Sequence, residues 1–303
     1  FGPNHMPTQK SDSSSCLRQA LIDYASETRD LVCGRSIEER QGSITALQFL
    51  RYAAANKPVV IRGGCSHWPA IQKWSNPFLR KTMGDQLITV AVTPNGKADA
   101  VTNGKFVLPF EKQMRFSDFL TVLEAEDNRK SGVHYIQLQN SNLFSEFRHL
   151  LPDVSEEISF ASEALNSKPD AVNVWVGESS SVTSLHKDPY ENLYAVIAGQ
   201  KHFILYPPSD YPFLYERKYP CAQYVQRDDH HFDIVDEEPQ SLVPWISVDP
   251  VEPDHEKFPD FRHAQALTVT LYPGDIVSFK AAGCYLFCLQ LRSMKKSISR
   301  GRG

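Results

Sequence analysis

Apolar positions along the chain change period several times, and each change marks a predicted element. Leu17, Ala20, Leu21 and Tyr24 recur at helical spacing, as do Leu47, Leu50 and Ala54 before Lys57-Pro58, so two packing helices are expected near the N-terminus. Pro58 to Arg62 reads as a short buried strand closed by Gly63-Gly64. Trp68, Pro69 and Trp74 then form a compact aromatic loop, read as sealing a sheet edge ahead of touching a substrate. Leu87 to Val92 and Ala98 to Val107 alternate as strands, with hairpin turns expected at Asn95-Gly96 and Asn103-Gly104. Phe116, Phe119, Leu120 and Leu123 form one face of a helix opened by Ser117. In His134 to Gln139, the residues Tyr135, Gln137 and Gln139 share one strand face. That face is either ordinary surface or the inner wall of a barrel.

The stretch from Thr183 to Asp210 organises the rest. Val172, Val174 and Val176 alternate into Gly177 and lead to it; within it, Leu193, Ala195 and Ile197 alternate, and the pattern resumes from His202 to Tyr206 before Pro207-Pro208. The pattern predicts a hairpin turning at Gly199-Gln200. His186 and Asp188 lie two apart, so in an extended chain both leave one face and can hold a divalent metal from two corners. The spacing alone is weak, because His231 and Asp233 repeat it in a charged run that reads as a solvated loop. Lys201 shares a face with Phe203 and Leu205. It either pairs there with an anion such as a bound carboxylate, or lies at the strand end and reaches solvent. The acidic run from Asp228 to Glu238 reads as a solvated insert, with an acidic rim for a basic substrate as the alternative. Ala266 to Leu271 and Gly274 to Phe279 are expected to pair through a turn at Pro273-Gly274-Asp275.

Composition narrows the function classes. The 303 residues are 41% hydrophobic and 22% charged without a long apolar run, so neither a membrane span nor a signal peptide is expected. A net charge of -4 argues against a general nucleic-acid binder. The six cysteines lack paired C-x-x-C spacing, which disfavours a disulfide framework or a zinc module and points to a reducing compartment, cytoplasm or nucleus. Cys284 and Cys288 could share a helical face, without other clustered ligands beside them. Residues 1–15 read as a disordered or read-in tail, 16–279 as one domain and 280–303 as a divergent basic tail.

The run S-L-H-K-D-x-Y-E-N-L-Y-x-V-x-x-G-x-K-H-F-x-L-x-P-P-S-D, with H-W-P-A-I-Q-K-W and A-S-E-A-L-N-S-K-P-D-A-V-N-V-W-V-G-E upstream, resembles the Jumonji-C family of Fe(II)- and 2-oxoglutarate-dependent oxygenases. The resemblance covers roughly Leu17 to Phe279. It implies a mainly β, double-stranded β-helix (a cupin-like jelly roll) with helices flanking the N-terminal part. It also implies a protein hydroxylase acting on lysine with O2 and 2-oxoglutarate. On that reading His186 and Asp188 bind iron, Lys201 pairs with the distal carboxylate of 2-oxoglutarate, and Tyr135, Thr183 and Asn192 help hold it. Thr183 has the wrong parity to share a regular face with His186, so its role requires a bend in the strand. The implied partner is a protein substrate with a basic, lysine-containing segment, and a homodimer is left open. A histone demethylase is a weaker alternative. A peptidase finds no recognisable nucleophile-base pair.

The resemblance breaks after Phe279. The family pattern there supplies a third metal ligand, a histidine, and closing strands, whereas this chain has no histidine beyond His263. The expectation is therefore that C-terminal strands are missing, that an alternative or misjoined exon follows Phe279, and that iron is weakly held. A non-catalytic binding module is the competing reading.

Overall fold

Two facing sheets form the centre of the protein, each assembled from segments far apart in the chain. The computed structural model describes residues 10–125, 132–188, 190–227, 231–280 and 285–292. The polar stretch ahead of Lys10, Cys284 and the end of the basic tail lie outside them. In chain order the first elements are α1 (Lys10–Thr28), β1 (Glu38–Gln41), α2 (Ala46–Ala54), β2 (Val59–Arg62), α3 (Pro69–Lys73) and α4 (Asn76–Met83). Next come β3 (Leu87–Thr93), β4 (Lys97–Ala98), β5 (Ala100–Thr102), β6 (Lys105–Leu108), β7 (Phe110–Arg115) and α5 (Phe116–Glu124). These are followed by β8 (Val133–Ile136), α6 (Ser159–Leu165), β9 (Val176–Gly177), β10 (Val182–Lys187), β11 (Glu191–Ala195) and β12 (Gln200–Tyr206). The last strands are β13 (Glu216–Gln226), β14 (Phe232–Asp236), β15 (Leu242–Ile246), β16 (Leu267–Leu271), β17 (Ile276–Lys280) and β18 (Tyr285–Arg292).

One central layer has the order β1-β2-β17-β11 and the other β16-β12-β18-β10-β4. Val60, Val277 and Phe279 from the first interdigitate with Phe203, Leu205 and Val269 from the second. Each such large apolar side chain, when fully buried, contributes roughly 1.5–3 kcal/mol. This is the expected jelly roll, two mostly antiparallel sheets with inward and outward positions alternating. A separate sheet, β7-β3-β8-β9, is covered by α4 and α5, with Phe116, Phe119 and Leu120 buried against Ile88 and Val90.

Several expectations need correction. The strands on either side of Gly199 do not form a hairpin: β11 pairs with β17 while β12 pairs with β16 and β18. The chain instead crosses between layers there, with Gly199 at φ 77°. Pro273-Gly274 likewise carries the chain from β16 in one layer to β17 in the other. A period-two pattern identifies strands but carries no information on partners, and a jelly roll pairs strands that are distant in sequence. Asn103-Gly104 does close a hairpin, β5 to β6, whereas Asn95-Gly96 joins two different sheets.

The missing C-terminal strand is the largest correction. Residues Tyr285–Arg292 form β18 in the middle of the second layer, antiparallel to both β10 and β12. Without it the facing backbone groups of β10 and β12 would be unpaired, so the slot favours any strand-forming segment within reach. Tyr-Leu-Phe-Cys-Leu-Gln-Leu is such a segment, a near-continuous apolar run of the kind seen in central strands.

At the N-terminus, α1 already includes residues read as tail, and it packs little: Leu17 and Tyr24 are exposed. It is tied down by polar contacts, Arg18 to Asp260 and Arg29 to the fully buried Asp210. α2 buries Phe49, Tyr52 and Ala53 and leaves Leu47 and Leu50 exposed, so its inward face is offset from the predicted one. α5 is capped at Arg115, ahead of Ser117. The aromatic loop at Trp68 contains α3, with the Trp74 Nε1 donating to Asp153 at 3.2 Å. The charged run is partly a strand: β14 pairs with β13, and its Asp233 and Asp236 are matched by Arg227 and Lys105.

Candidate active site

The jelly roll encloses a cavity of about 690 Å³, a volume ordinary for small-molecule sites, lined by residues of both layers. Thr183, His186, Asp188, Asn192 and Lys201 all line it. Tyr135 reaches it through Lys201. The register of β10 against β18 shifts between Thr183 and His186, so three steps on one strand match two on the other. This bulge is the bend that Thr183 needs in order to share a wall with His186.

Lys201 is 1% exposed, which removes the reading in which it reaches solvent. Its Nζ donates to the Tyr135 Oη at 2.8 Å. Three rings surround the ammonium, with centroids 5.3 Å (Tyr135), 6.0 Å (Trp175) and 5.6 Å (Tyr194) away. Cation–π attraction of roughly 0.5–2 kcal/mol per ring helps keep a charge in a dry place. Tyr135 therefore faces inward, whereas its neighbour Gln137 turns its amide to Asp99, at 3.0 Å. Thr183 presents a buried Oγ1 with no hydrogen-bond partner among the described residues. A buried hydroxyl left so is costly unless a ligand or water completes it.

His186 Nδ1 lies 2.8 Å from the Ser184 carbonyl, which can only accept, so Nδ1 carries the proton and Nε2 keeps its lone pair. Burial lowers the pKa of the ring, favouring the neutral form that ligates metals. Its face stacks on Trp245 at 5.5 Å and 4°, and the Trp245 Nε1 donates to the Ser184 Oγ at 2.9 Å. The Asp188 Oδ2 accepts from the Asn192 Nδ2 at 2.8 Å and the Oδ1 from the Tyr190 N–H at 3.2 Å. The Asn192 amide thus orients Asp188 while Asn192 also lines the cavity. In the second pair, the exposed His231 just precedes β14 and the half-buried Asp233 lies on it, with an N···O distance of 3.7 Å.

Trp175, Tyr194 and Trp245 were not legible as site residues in the sequence. Tyr194 carried the one usable signal. It alternates with Leu193 and Ala195 on a predicted strand, but its partners depend on which layer that strand joins.

The dicarboxylate side of the site fits 2-oxoglutarate: a buried cation, a phenol and an unsatisfied hydroxyl line or border one cavity. The metal side does not fit fully. Among the described residues there is no group of three or more His, Cys, Asp or Glu side chains able to hold an ion. Opposite His186 in the β10–β18 ladder stands Leu286, a residue type without a donor atom.

A jelly roll with His-x-Asp at the end of one strand, His186 on β10 and Asp188 just past it, and a buried lysine facing the same cavity defines a cupin-type oxygenase scaffold. A family model for a cupin-like domain matches residues 45–279. The chain is 44% identical over 88% of its length to the human bifunctional peptidase and (3S)-lysyl hydroxylase JMJD7, covering 84% of that protein. It is 38% identical to JmjC domain-containing protein E of Dictyostelium discoideum over 83% of this chain and 78% of the relative. With the lysine-specific demethylase JMJ32 of Arabidopsis thaliana it shares 40% identity over 78% of this chain and 71% of the relative. The chain belongs to the JmjC family of cupin-like proteins, whose members are Fe(II)- and 2-oxoglutarate-dependent oxygenases.

Proposed function

We propose that the protein is a 2-oxoglutarate-dependent hydroxylase of protein side chains, with lysine as the target residue. The observation that carries the reading is the buried Lys201 ammonium beside Tyr135, in one cavity with His186 and Asp188. Lys201 would take the distal carboxylate of 2-oxoglutarate, Tyr135 would orient the ammonium, and Thr183 would donate its unsatisfied hydroxyl. His186 through Nε2 and Asp188 would supply two corners of an iron site, with Ser184, Trp245 and Asn192 fixing their directions. The donor set is one short of a facial triad among the described residues.

Lysine as the target rests on similarity to the human lysyl hydroxylase and on charge. Glu156, Glu157 and Asp170 are exposed residues lining the cavity, and they favour a basic segment there. The acidic run beyond Asp228 is not among the described lining residues. A peptidase activity, part of that relative's name, finds no nucleophile-base pair to support it among the described residues.

The test is incubation of the full chain with Fe(II), 2-oxoglutarate and lysine-rich peptides. Succinate formation and the gain of one oxygen atom on a lysine are read by mass spectrometry. Demethylation without hydroxylated product, or no peptide-dependent succinate, would overturn the reading. The second reading, a binding module without turnover, is favoured by Leu286 opposite His186. It predicts 2-oxoglutarate binding with no succinate.

A further inference from the structure

Ahead of β9 the chain runs extended from Asp170 without joining a ladder. Val172 and Val174 pack into the core with Leu143 and Phe147, while Asn173 and Trp175 line the cavity, which is the alternation of a strand. Its inner edge is satisfied by a side chain. The Asn142 Nδ2 donates to the Leu138 carbonyl at 3.2 Å and to the Val174 carbonyl at 3.1 Å, and the Asn142 Oδ1 accepts from the Val174 N–H at 2.6 Å. The Val172 carbonyl accepts from the Leu143 N–H at 3.3 Å. Successive residues of an extended chain turn their N–H and C=O groups to opposite sides, so those of Ala171, Asn173 and Trp175 point the other way. Among the described residues none of these backbone groups has a hydrogen-bond partner. Asn173 and Trp175 are half-buried, and an open edge of this kind is completed by water or by another extended chain.

We infer that the protein substrate docks here as an added β-strand, paired with residues 171–175 and extending the β7-β3-β8-β9 sheet. The inference rests on the proposed reading of the protein as a hydroxylase of a basic protein segment, and gives that segment its conformation. Two features select the occupant. An extended polypeptide offers N–H and C=O groups at the matching two-residue repeat. The outer end of the edge is also acidic: Glu156, Glu157 and Asp170 line the cavity, against Lys168 as the exposed cation of the described lining. The inner end is Trp175, whose ring centroid lies 6.0 Å from the Lys201 ammonium. From Asp170 to Trp175 an extended chain covers about 17 Å. A strand with its target lysine at the Trp175 end therefore brings to the acidic end a residue about five positions away.

The probe is a fluorescein-labelled, threonine-rich peptide of about twelve residues, with a central lysine and an arginine about five positions to either side. Binding to the full chain is read by anisotropy without metal or 2-oxoglutarate. Hydrogen exchange, read by mass spectrometry, should slow at the Asn173 and Trp175 amides when the peptide binds, while the Val174 amide, already bonded to Asn142, keeps its rate. N-methylation of the peptide should weaken binding at alternate positions only. Ala171→Pro removes an outward N–H from the exposed end of the edge and should weaken binding about fivefold, the loss of one hydrogen bond. The double variant Glu156→Gln, Glu157→Gln should weaken the arginine peptide and leave unchanged a peptide with glutamine in place of both arginines. Binding that needs the arginines but is indifferent to every N-methyl group, with unchanged exchange at Asn173 and Trp175, is charge capture without strand pairing and overturns the inference. Absence of binding overturns it too. Peptide-dependent succinate beside either result leaves the hydroxylase reading standing. Strand pairing without succinate removes that reading and keeps the docking edge, as a binding module would.

Discussion

Lys201 on β12 and Tyr135 on β8 meet through a 2.8 Å hydrogen bond that joins the second barrel layer to the neighbouring β7-β3-β8-β9 sheet. The bond aims the ammonium while three rings shield it from water, so cation and phenol should contribute unequally to cosubstrate affinity. Lys201→Met keeps the stem and removes the charge. A loss of about 2–3 kcal/mol would raise the apparent Kd for 2-oxoglutarate roughly 30- to 150-fold. Tyr135→Phe removes one hydrogen bond, about 1 kcal/mol, for roughly a fivefold rise. Calorimetry on folded variants separates the two. Equal effects would mean that Lys201 acts through Tyr135 and does not touch the ligand.

The two His-x-Asp pairs should behave differently. His186→Ala and Asp188→Ala each leave a single protein donor and should abolish Mn(II) uptake measured in the presence of 2-oxoglutarate. His231→Ala should have no effect, because that ring is exposed just ahead of β14 and lies beside the Arg227–Asp233 pair. Retained uptake in His186→Ala would remove β10 from the site.

Gly177 is the close-approach point behind Tyr135. A Cβ added there would lie 2.6 Å from the Tyr135 Cδ2 and 2.6 Å from the Ser181 Oγ, nearer than real contacts allow. Gly177→Ala should therefore push the phenol away from Lys201, as well as destabilising the fold by about 1–3 kcal/mol through overpacking. The expected result is weaker 2-oxoglutarate binding than in Tyr135→Phe, where the ring stays in place. Wild-type affinity in Gly177→Ala would show that the strand shifts to absorb the methyl group.

The limits of sequence reading follow from what each pattern encodes. Strand positions were readable because Lys201, Phe203 and Leu205 recur at period two, although Ile204 and Tyr206 on the opposite face are buried as well. Pairing was not, because the partners of β11 and β12 lie about sixty residues away or more and leave no local trace. The bend at Thr183 was legible once the resemblance had placed Thr183 in the site, since a residue three positions before His186 can join its wall only across a bulge. The Trp245 stack on His186 was not legible, because it is made by a strand inside a segment with no recognisable motif. β18 was not expected as a strand because the segment lacks the histidine of the family pattern, yet its apolar run is itself the signal for a central strand.

Asp99 gives a pH-dependent test of the wall behind His186. Its backbone carbonyl accepts from the Ser184 Oγ at 2.5 Å, and its carboxylate accepts from the Gln137 Nε2 at 3.0 Å. Burial is the dominant influence and pushes the carboxyl from 3.8 up to about 6; the Gln137 hydrogen bond opposes the rise and Glu111 adds to it. A carboxyl whose folded pKa exceeds its unfolded one binds more protons when folded, so its ionisation destabilises the fold progressively between about pH 4 and 6 and fully above that. At one pKa unit per 1.36 kcal/mol the full penalty is at most about 3 kcal/mol. Asp99→Asn removes the ionisation, keeps an oxygen for Gln137, and tolerates the left-handed backbone at φ 51°. The variant should therefore be more stable than the parent at pH 8, by up to about 3 kcal/mol, with the difference shrinking toward zero near pH 4. Urea midpoints at the two pH values measure it. A difference that is the same at both would show that Asp99 is solvated and that its ionisation places no strain on the strand carrying His186.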